Sequence, residues 1–339
     1  MSESNQKLES GSIVKAQLKR IVQKREFLLV IIVAAMFVFL SLTTPFFLTW
    51  QNLRTVLSSM STDGIIVIGM TILFIAGGFD LSVGSVMCLA MVICALMFRS
   101  VGLGIWESAL IAIAFCAVIG WIIGMLVTKI KLNHFIVTLC FMGIARGLVF
   151  ALSGGTNISL VAQLDAEPAF QFIGNGTVFG FLPTQVLIFI VVAIIADFLV
   201  RRTSIMRLVF YTGSNPRAAE YSGIRTHRII IGAGIVCSIC AGIAGVIFLS
   251  RFSGVPLTAG TGLEMVAISA CVIGGASLKG GKGSILGSIL GLAFMVLVTN
   301  AMIMFGIRAH WQDLIRFSIL LAVVAMDQIG QNIAQKKAQ

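Results

Sequence analysis

The chain has 339 residues, 58% of them hydrophobic and only 11% charged, so polar side chains are too few to cover a water-facing surface and a soluble globular domain is excluded. The net charge of +11 raises nucleic acid as a partner, yet the basic residues are distributed as membrane topology demands and nucleic-acid binding explains none of that pattern.

In chain order, residues 1–26 are polar and read as a cytoplasmic amino-terminal segment. The apolar run that follows has no small-residue cleavage site after it and reads as a retained first span. A helix crosses the hydrocarbon core of about 30 Å with about 20 apolar residues. Such runs recur at 27–48, 62–79, 83–100, 107–128, 135–152, 183–200, 228–249, 263–277, 284–305 and 311–328. Lipid offers no partner for backbone N–H and C=O groups, and the weak alternation of a membrane barrel is absent, so these runs are expected to be helices. The expected fold is all-α: a polytopic transmembrane helix bundle of about ten spans over 27–328, both termini cytoplasmic, with 329–339 as a cytoplasmic tail.

Charge sets the expected orientation. With the amino terminus inside, Lys7, Lys15, Lys19, Arg20, Lys24 and Arg25 precede the first span and Lys129 and Lys131 follow the fourth. Arg201, Arg202, Arg207, Arg217, Arg225 and Arg228 surround the loop after the sixth, Lys279 and Lys282 follow the eighth, and Lys336 and Lys337 end the chain. All of these fall on one face, as the positive-inside bias requires. Arg54, Arg99, Arg251 and Arg308 are left outside, and Arg146 and Arg316 within helices. The seven cysteines lie in apolar spans, where they behave as small hydrophobic residues. Cys237 and Cys240 form one C-x-x-C with no second pair, which is poor evidence for a metal or redox site.

Between the second and third runs, Gly77-Gly78-Phe79-Asp80-Leu81-Ser82-Val83-Gly84-Ser85 breaks the helix. Asp80 or Ser82 can cap the next helix, whose dipole favours a carboxylate, and an ionisable residue here is costly unless it faces protein or water. The segment reads equally as a cap and as a pathway element around Asp80, Ser82 and Ser85. Residues 274–284 share its G-G-x-x-L and later G-S, as paired broken helices in transporters do. They do not make a phosphate-binding loop, because Lys282 is followed by Gly283 and not by Ser or Thr.

Two longer loops stand out. Residues 153–182 are expected outside, and residues 201–227 inside. The inner one holds Gly213-Ser214-Asn215-Pro216-Arg217-Ala218-Ala219-Glu220-Tyr221-Ser222-Gly223. Asn215 suits an N-cap, Pro216 the first helical position and Gly223 the left-handed residue after the end, so a helix of about two turns is predicted, set apart from the spans. It reads as a docking helix or as a plain connector. Gly120 with Gly124, Ala241-Gly242 with Gly245, and Gly283, Gly287 and Gly291 are expected to pack helices closely. Thr138, Arg146, Glu264 and Asn300 are further embedded polar candidates, and Asp197 with Arg201 is expected to be a helical ion pair. His134, His227 and His310 have no ligand spacing. No nucleophile, base and orienting acid can be assembled from these groups, which argues against catalysis.

The segments GGFDLSVGS at 77–85, FIVTL with a following ARG at 135–147, GSNPRAAEYSGI at 213–224 and GTGLEMVAISACVIGGASLKGGKGS at 260–284 together resemble the permease subunits of ribose-type ABC sugar importers. The likeness runs from about residue 27 to residue 328. It implies a bacterial cytoplasmic (inner) membrane permease with no cofactor of its own, served by a cytoplasmic ABC ATPase subunit that uses ATP and by a periplasmic sugar-binding protein. A second permease copy or a paralogous permease would complete the dimer. It further implies that Gly213, Asn215, Pro216, Arg217, Ala218, Ala219, Glu220 and Gly223 form the ATPase-coupling loop. Phe79 stands where Ile is commoner in the family, and Glu220-Tyr221 where a more apolar pair is usual.

The sequence reading therefore expects import of a monosaccharide or small polyol by alternating access. Asp80, Ser82, Ser85, Thr138, Arg146, Glu264 and Asn300 are candidates for the path, and Arg54, Arg99, Arg251 and Arg308 for binding-protein docking. An ion-coupled secondary transporter, with Asp80 and Glu264 as its start, remains the competitor from another class. An ABC permease for branched-chain amino acids or nucleosides is the competitor from the same superfamily.

Overall fold

The computed structural model describes residues 25–338. Lys7, Lys15, Lys19, Arg20 and Lys24 lie outside the described residues, as do the first 24 positions of the expected amino-terminal segment.

The apolar runs fold as helices. Arg25–Thr43 is α1, Trp50–Ile75 α2, Val83–Leu96 α3, Ile105–Thr128 α4 and His134–Ser153 α5. Later come Thr184–Arg202 (α8), Thr226–Phe252 (α11) and Ile285–Met304 (α13). A π-helical turn, Met97–Val101, extends α3. Among the described residues these eight helices are long and apolar enough to cross a membrane. Leu263–Ile273 (α12) has 11 residues, about 16 Å at a rise of about 1.5 Å per residue, and so reaches only half of a core about 30 Å thick. The expected span 263–277 is corrected accordingly: it is a half-helix. The last run lies inside α14, Ala309–Ala338, which continues past residue 328. The second span also differs, for α2 starts at Trp50, capped by the Thr49 side chain, twelve residues before the expected start at 62.

The segment 153–182 is structured. It carries β1 (Ile158–Ser159), α6 (Val161–Leu164), α7 (Pro168–Asn175) and the hairpin β2 (Thr177–Val178) with β3 (Leu182–Pro183). β1 pairs antiparallel with β4, Gly254–Val255, and α7 lies against α11. This cap therefore seats over the end of α11. The basic loop 201–227 likewise holds two helices: Ser204–Ser214 (α9), which the sequence reading left as loop, and Pro216–Tyr221 (α10).

The centre of the bundle is α2, α3 and α11, with α4 against α11 and α5 against α3. Small residues sit where backbones meet: a Cβ on Gly120 would lie 2.6 Å from the Gly234 carbonyl and one on Gly245 2.5 Å from that of Met87. The Gly287 and Gly291 positions of α13 press in the same way on the Gly274 and Ala270 carbonyls at the end of α12. Asp197 and Arg201 form the expected ion pair on α8 (2.7 Å).

Candidate functional site

Two regions of the bundle carry polar chemistry, one at each side of its middle. The first is the end that holds α10. Asn215 accepts a hydrogen bond from the Ala218 amide (3.0 Å), Pro216 takes the first helical position and Gly223 lies at φ +80°, so each of the three local signals acts as expected. Asn215, Pro216, Arg217, Ala218 and Glu220 are exposed, Ala219 is buried as the anchor, and Tyr221 is 92% exposed. The Thr226 hydroxyl donates to Glu220 Oε1 (2.6 Å), tying α10 to the first turn of α11.

Gly213 belongs to α9 and lies at a junction of three backbones. A Cβ on Gly213 would overlap the Ile75 carbonyl at the end of α2 and stand 2.7 Å from the Gly281 amide. The Gly281 amide in turn donates to the Ile75 carbonyl (3.0 Å), and a Cβ on Gly280 would stand 2.7 Å from the Gly77 Cα. α2 and α12 also end alike. Gly77 and Gly275 have φ +92° and +98°, and Gly77→Phe74, Gly78→Leu73, Gly275→Val272 and Ala276→Cys271 repeat one pattern of N–H donation to carbonyls, the Schellman ending. The likeness of 77–85 to 274–284 is thus a likeness of conformation. The basic residues Lys129, Lys131, Arg202, Arg217, Arg225, Lys279 and Lys282 lie at helix ends or turns around this same end of the bundle.

The second region is a cavity of about 280 Å³ between α2, α3, α11, α12, α13 and α14. Thr55, Ser59 and Asp63, spaced by four, bring one face of α2 to it. Thr299 and Asn300 come from α13, Arg316 from α14, and Gly260-Thr261-Gly262 from the turn before α12, while Met87, Phe248, Val266 and Val296 add apolar walls. Asp63 stands twelve residues along α2 from Ile75, about 18 Å from the α10 end at about 1.5 Å per residue. The cavity extends from there toward the other end of the bundle.

Of the path candidates, Asn300 lines this cavity, paired with Asn52: Asn300 Nδ2 donates to Asn52 Oδ1 (2.7 Å). Asp80, Ser82 and Ser85 are buried elsewhere, and Asp80 Oδ1 accepts from both the Ser82 amide (2.7 Å) and its hydroxyl (2.6 Å). The Ser82 side chain makes no cap bond to α3, so Asp80 organises the turn and Ser82 is the residue it holds. Phe79 stacks on the His134 ring at the start of α5, with centroids 6.2 Å apart. Arg146 donates to the Leu257 and Ala259 carbonyls (2.7 and 3.1 Å) and so holds the turn leading to α12. A Cβ on Gly84 would meet Glu264 Oε2 at 3.0 Å, which places that carboxylate at the start of α3. Among the described residues the Thr138 hydroxyl bonds only within its own helix. Of the four arginines expected outside, Arg54 donates to the Asn175 carbonyl (2.9 Å) and Arg251 stacks over Phe252, whereas Arg99 and Arg308 are exposed.

Sequence reading missed Asp63 and gave Arg316 no role. A signal was present, since Thr55, Ser59 and Asp63 form a polar stripe at helical spacing, but a span starting at 62 hides it.

The family model described as "Branched-chain amino acid transport system / permease component" matches residues 52–324. The ribose import permease protein of Escherichia coli is 33% identical over 295 residues, 86% of this chain and 90% of that protein. The L-arabinose ABC transporter permease protein of Azospirillum brasilense is 35% identical over 308 residues, 90% of this chain and 88% of that protein. The autoinducer 2 import system permease protein of Salmonella typhi is 32% identical over 311 residues, 91% and 87% respectively. No solved structure matches.

Proposed function

The chain belongs to the branched-chain amino acid transport system / permease component family, and from that premise we propose that it is the membrane-spanning subunit of an ATP-driven, binding-protein-dependent importer for a monosaccharide or related small polyol. The names of relatives 32–35% identical over most of their length, for ribose, L-arabinose and autoinducer 2 import, favour sugars over the amino acids of the family description. The chain itself is a conduit and not an enzyme. ATP is hydrolysed on a cytoplasmic ABC ATPase subunit, a periplasmic sugar-binding protein delivers the solute, and a second copy or a paralogue completes the permease. The home of the assembly is the bacterial cytoplasmic (inner) membrane, with α10 facing the cytosol as the clustering of basic residues requires.

The observation that carries the mechanism is the contact between α9–α10 and the ends of α2 and α12. An ATPase that grips the exposed face of α10 moves Gly213 against the Ile75 carbonyl and Gly281, and so displaces α2 and the α12–α13 turn together. α2, and the helices α12 and α13 that this turn joins, wall the cavity, so closure of the ATPase and access to the cavity are linked. Asp80 and Ser82 shape the turn after α2, Ser85 is buried in the first turn of α3, and Arg146 and Glu264 hold the turn before α12. Arg99 and Arg308, exposed at the far end, are better placed for docking than Arg54 and Arg251.

Reconstitution with a cognate ABC ATPase subunit and sugar-binding protein tests the reading. The expected result is ATP-dependent accumulation of radiolabelled D-ribose, L-arabinose or D-xylose. Accumulation without the ATPase subunit, or of L-leucine in place of every sugar, overturns it.

A further inference from the structure

The cavity holds two ionisable groups that the bundle leaves incompletely matched. Among the described residues the Asp63 carboxyl group forms no ion pair and accepts no hydrogen bond, although Arg251 and Arg316 are the cations whose charge acts on it. Arg316, which also lines the cavity, donates through Nη1 to Asp313 (3.2 Å) and through Nη2 to Gln312 (3.5 Å) of its own helix, and each of these nitrogens carries a second N–H. Ionisable groups at membrane depth are expensive unless they pair or face a polar cavity. An acceptor and a donor lining one cavity without closing on each other are matched together by an occupant that offers both.

We infer that this cavity is a hydroxyl-recognition station in the permease: Asp63 accepts from, and Arg316 and Asn300 donate to, neighbouring hydroxyls of an uncharged polyol of about pentose size. The inference rests on the import reading above and assigns the solute contacts within it. A sugar hydroxyl both donates and accepts, so a vicinal pair satisfies a carboxylate and a guanidinium at once. Asn300 is held for this by Asn52, which takes one amide hydrogen at 2.7 Å and leaves the other. Thr55 and Thr299 spend their hydroxyl hydrogens on the Gln51 and Met295 carbonyls, so their oxygens remain as acceptors. Phe248 and Val266 present an apolar wall to the C–H face of the ring. The volume of about 280 Å³ lies just below the range of about 300–1,000 Å³ typical of small-molecule sites, which selects a small solute. A site built around hydroxyl partners also rejects analogues that lack them far more strongly than an apolar pocket rejects a missing methylene. The permease thereby adds a selectivity step of its own to that of the binding protein.

The test is uptake by the reconstituted permease–ATPase–binding-protein assembly of whichever sugar among D-ribose, L-arabinose and D-xylose the unaltered assembly accumulates, compared with a deoxy analogue of that sugar. Asp63→Asn and Arg316→Gln are each expected to lower sugar uptake by about tenfold or more while ATP hydrolysis persists, and to bring the sugar-to-deoxysugar ratio toward one. A change confined to packing lowers both rates alike and leaves the ratio unmoved. Val266→Phe, which fills the cavity without altering a polar group, is expected to stop uptake, and it carries the test should Asp63→Asn fail to reach the membrane. An unaltered sugar-to-deoxysugar ratio in Asp63→Asn, whether or not uptake falls, or wild-type uptake in Val266→Phe, overturns the inference while the import reading stands. No accumulation of any sugar by the unaltered assembly overturns the import reading itself.

Discussion

The amide of Gly281 donates to the carbonyl of Ile75 at 3.0 Å, so the turn between the half-helix α12 and α13 is bonded to the last residue of α2. Gly213, at the end of α9, packs into the same junction. A helix exposed at one end of the bundle is thereby connected through backbone contacts to the walls of a cavity about 18 Å away along α2, with no long side chain to absorb the movement.

Gly213→Ala tests that junction. Its Cβ would overlap the Ile75 carbonyl, and backbone cannot step aside as a flexible side chain does. We expect a loss of about 1–3 kcal/mol, read as a lower midpoint of thermal unfolding in detergent, together with reduced uptake. Wild-type stability and uptake in this variant would show that α9 does not press on α2.

Arg217→Ala with Glu220→Ala removes charge from the exposed face of α10 and frees Thr226 from its carboxylate partner. ATP hydrolysis should continue while uptake falls by about tenfold, the effect of about 1.4 kcal/mol of lost coupling. Unchanged transport in the double variant would count against α10 as the ATPase contact.

Asp80→Asn and Asp80→Ala separate turn-building from ion binding. Asn retains an acceptor for the Ser82 amide and hydroxyl, whereas Ala leaves both without one. We expect near-normal uptake in the first and a destabilisation of about 1–3 kcal/mol in the second. Equal loss in both would show that the negative charge itself is needed, as an ion-coupled carrier requires.

Arg146→Met deletes donors to the Leu257 and Ala259 carbonyls. Charge-assisted bonds are worth about 1.5–3 kcal/mol each, so the turn before α12 should loosen, with faster amide exchange at 257–263. Unaltered exchange there would reassign Arg146 from the turn to the solute path.

Tyr221→Cys, at a position 92% exposed, reports orientation. A membrane-impermeant thiol reagent should label it in inverted vesicles and not in intact cells. Labelling from the outside of intact cells would invert the whole topology.

The composition and the spacing of apolar runs by themselves determined that this is a helical membrane bundle, because hydrocarbon forces every backbone polar group to find its partner within its own segment. They also determined α10, since capping by Asn215, Pro216 and Gly223 acts within a few residues and does not wait for tertiary contacts. Only the tertiary structure decided that 263–277 is half a span, because its residues are apolar whether the helix continues or stops at Ile273. It alone decided that Asp63 and Arg316, on helices far apart in sequence, face one cavity: a charged residue inside an apolar run announces its cost locally, but the groups that meet that cost arrive from elsewhere in the fold.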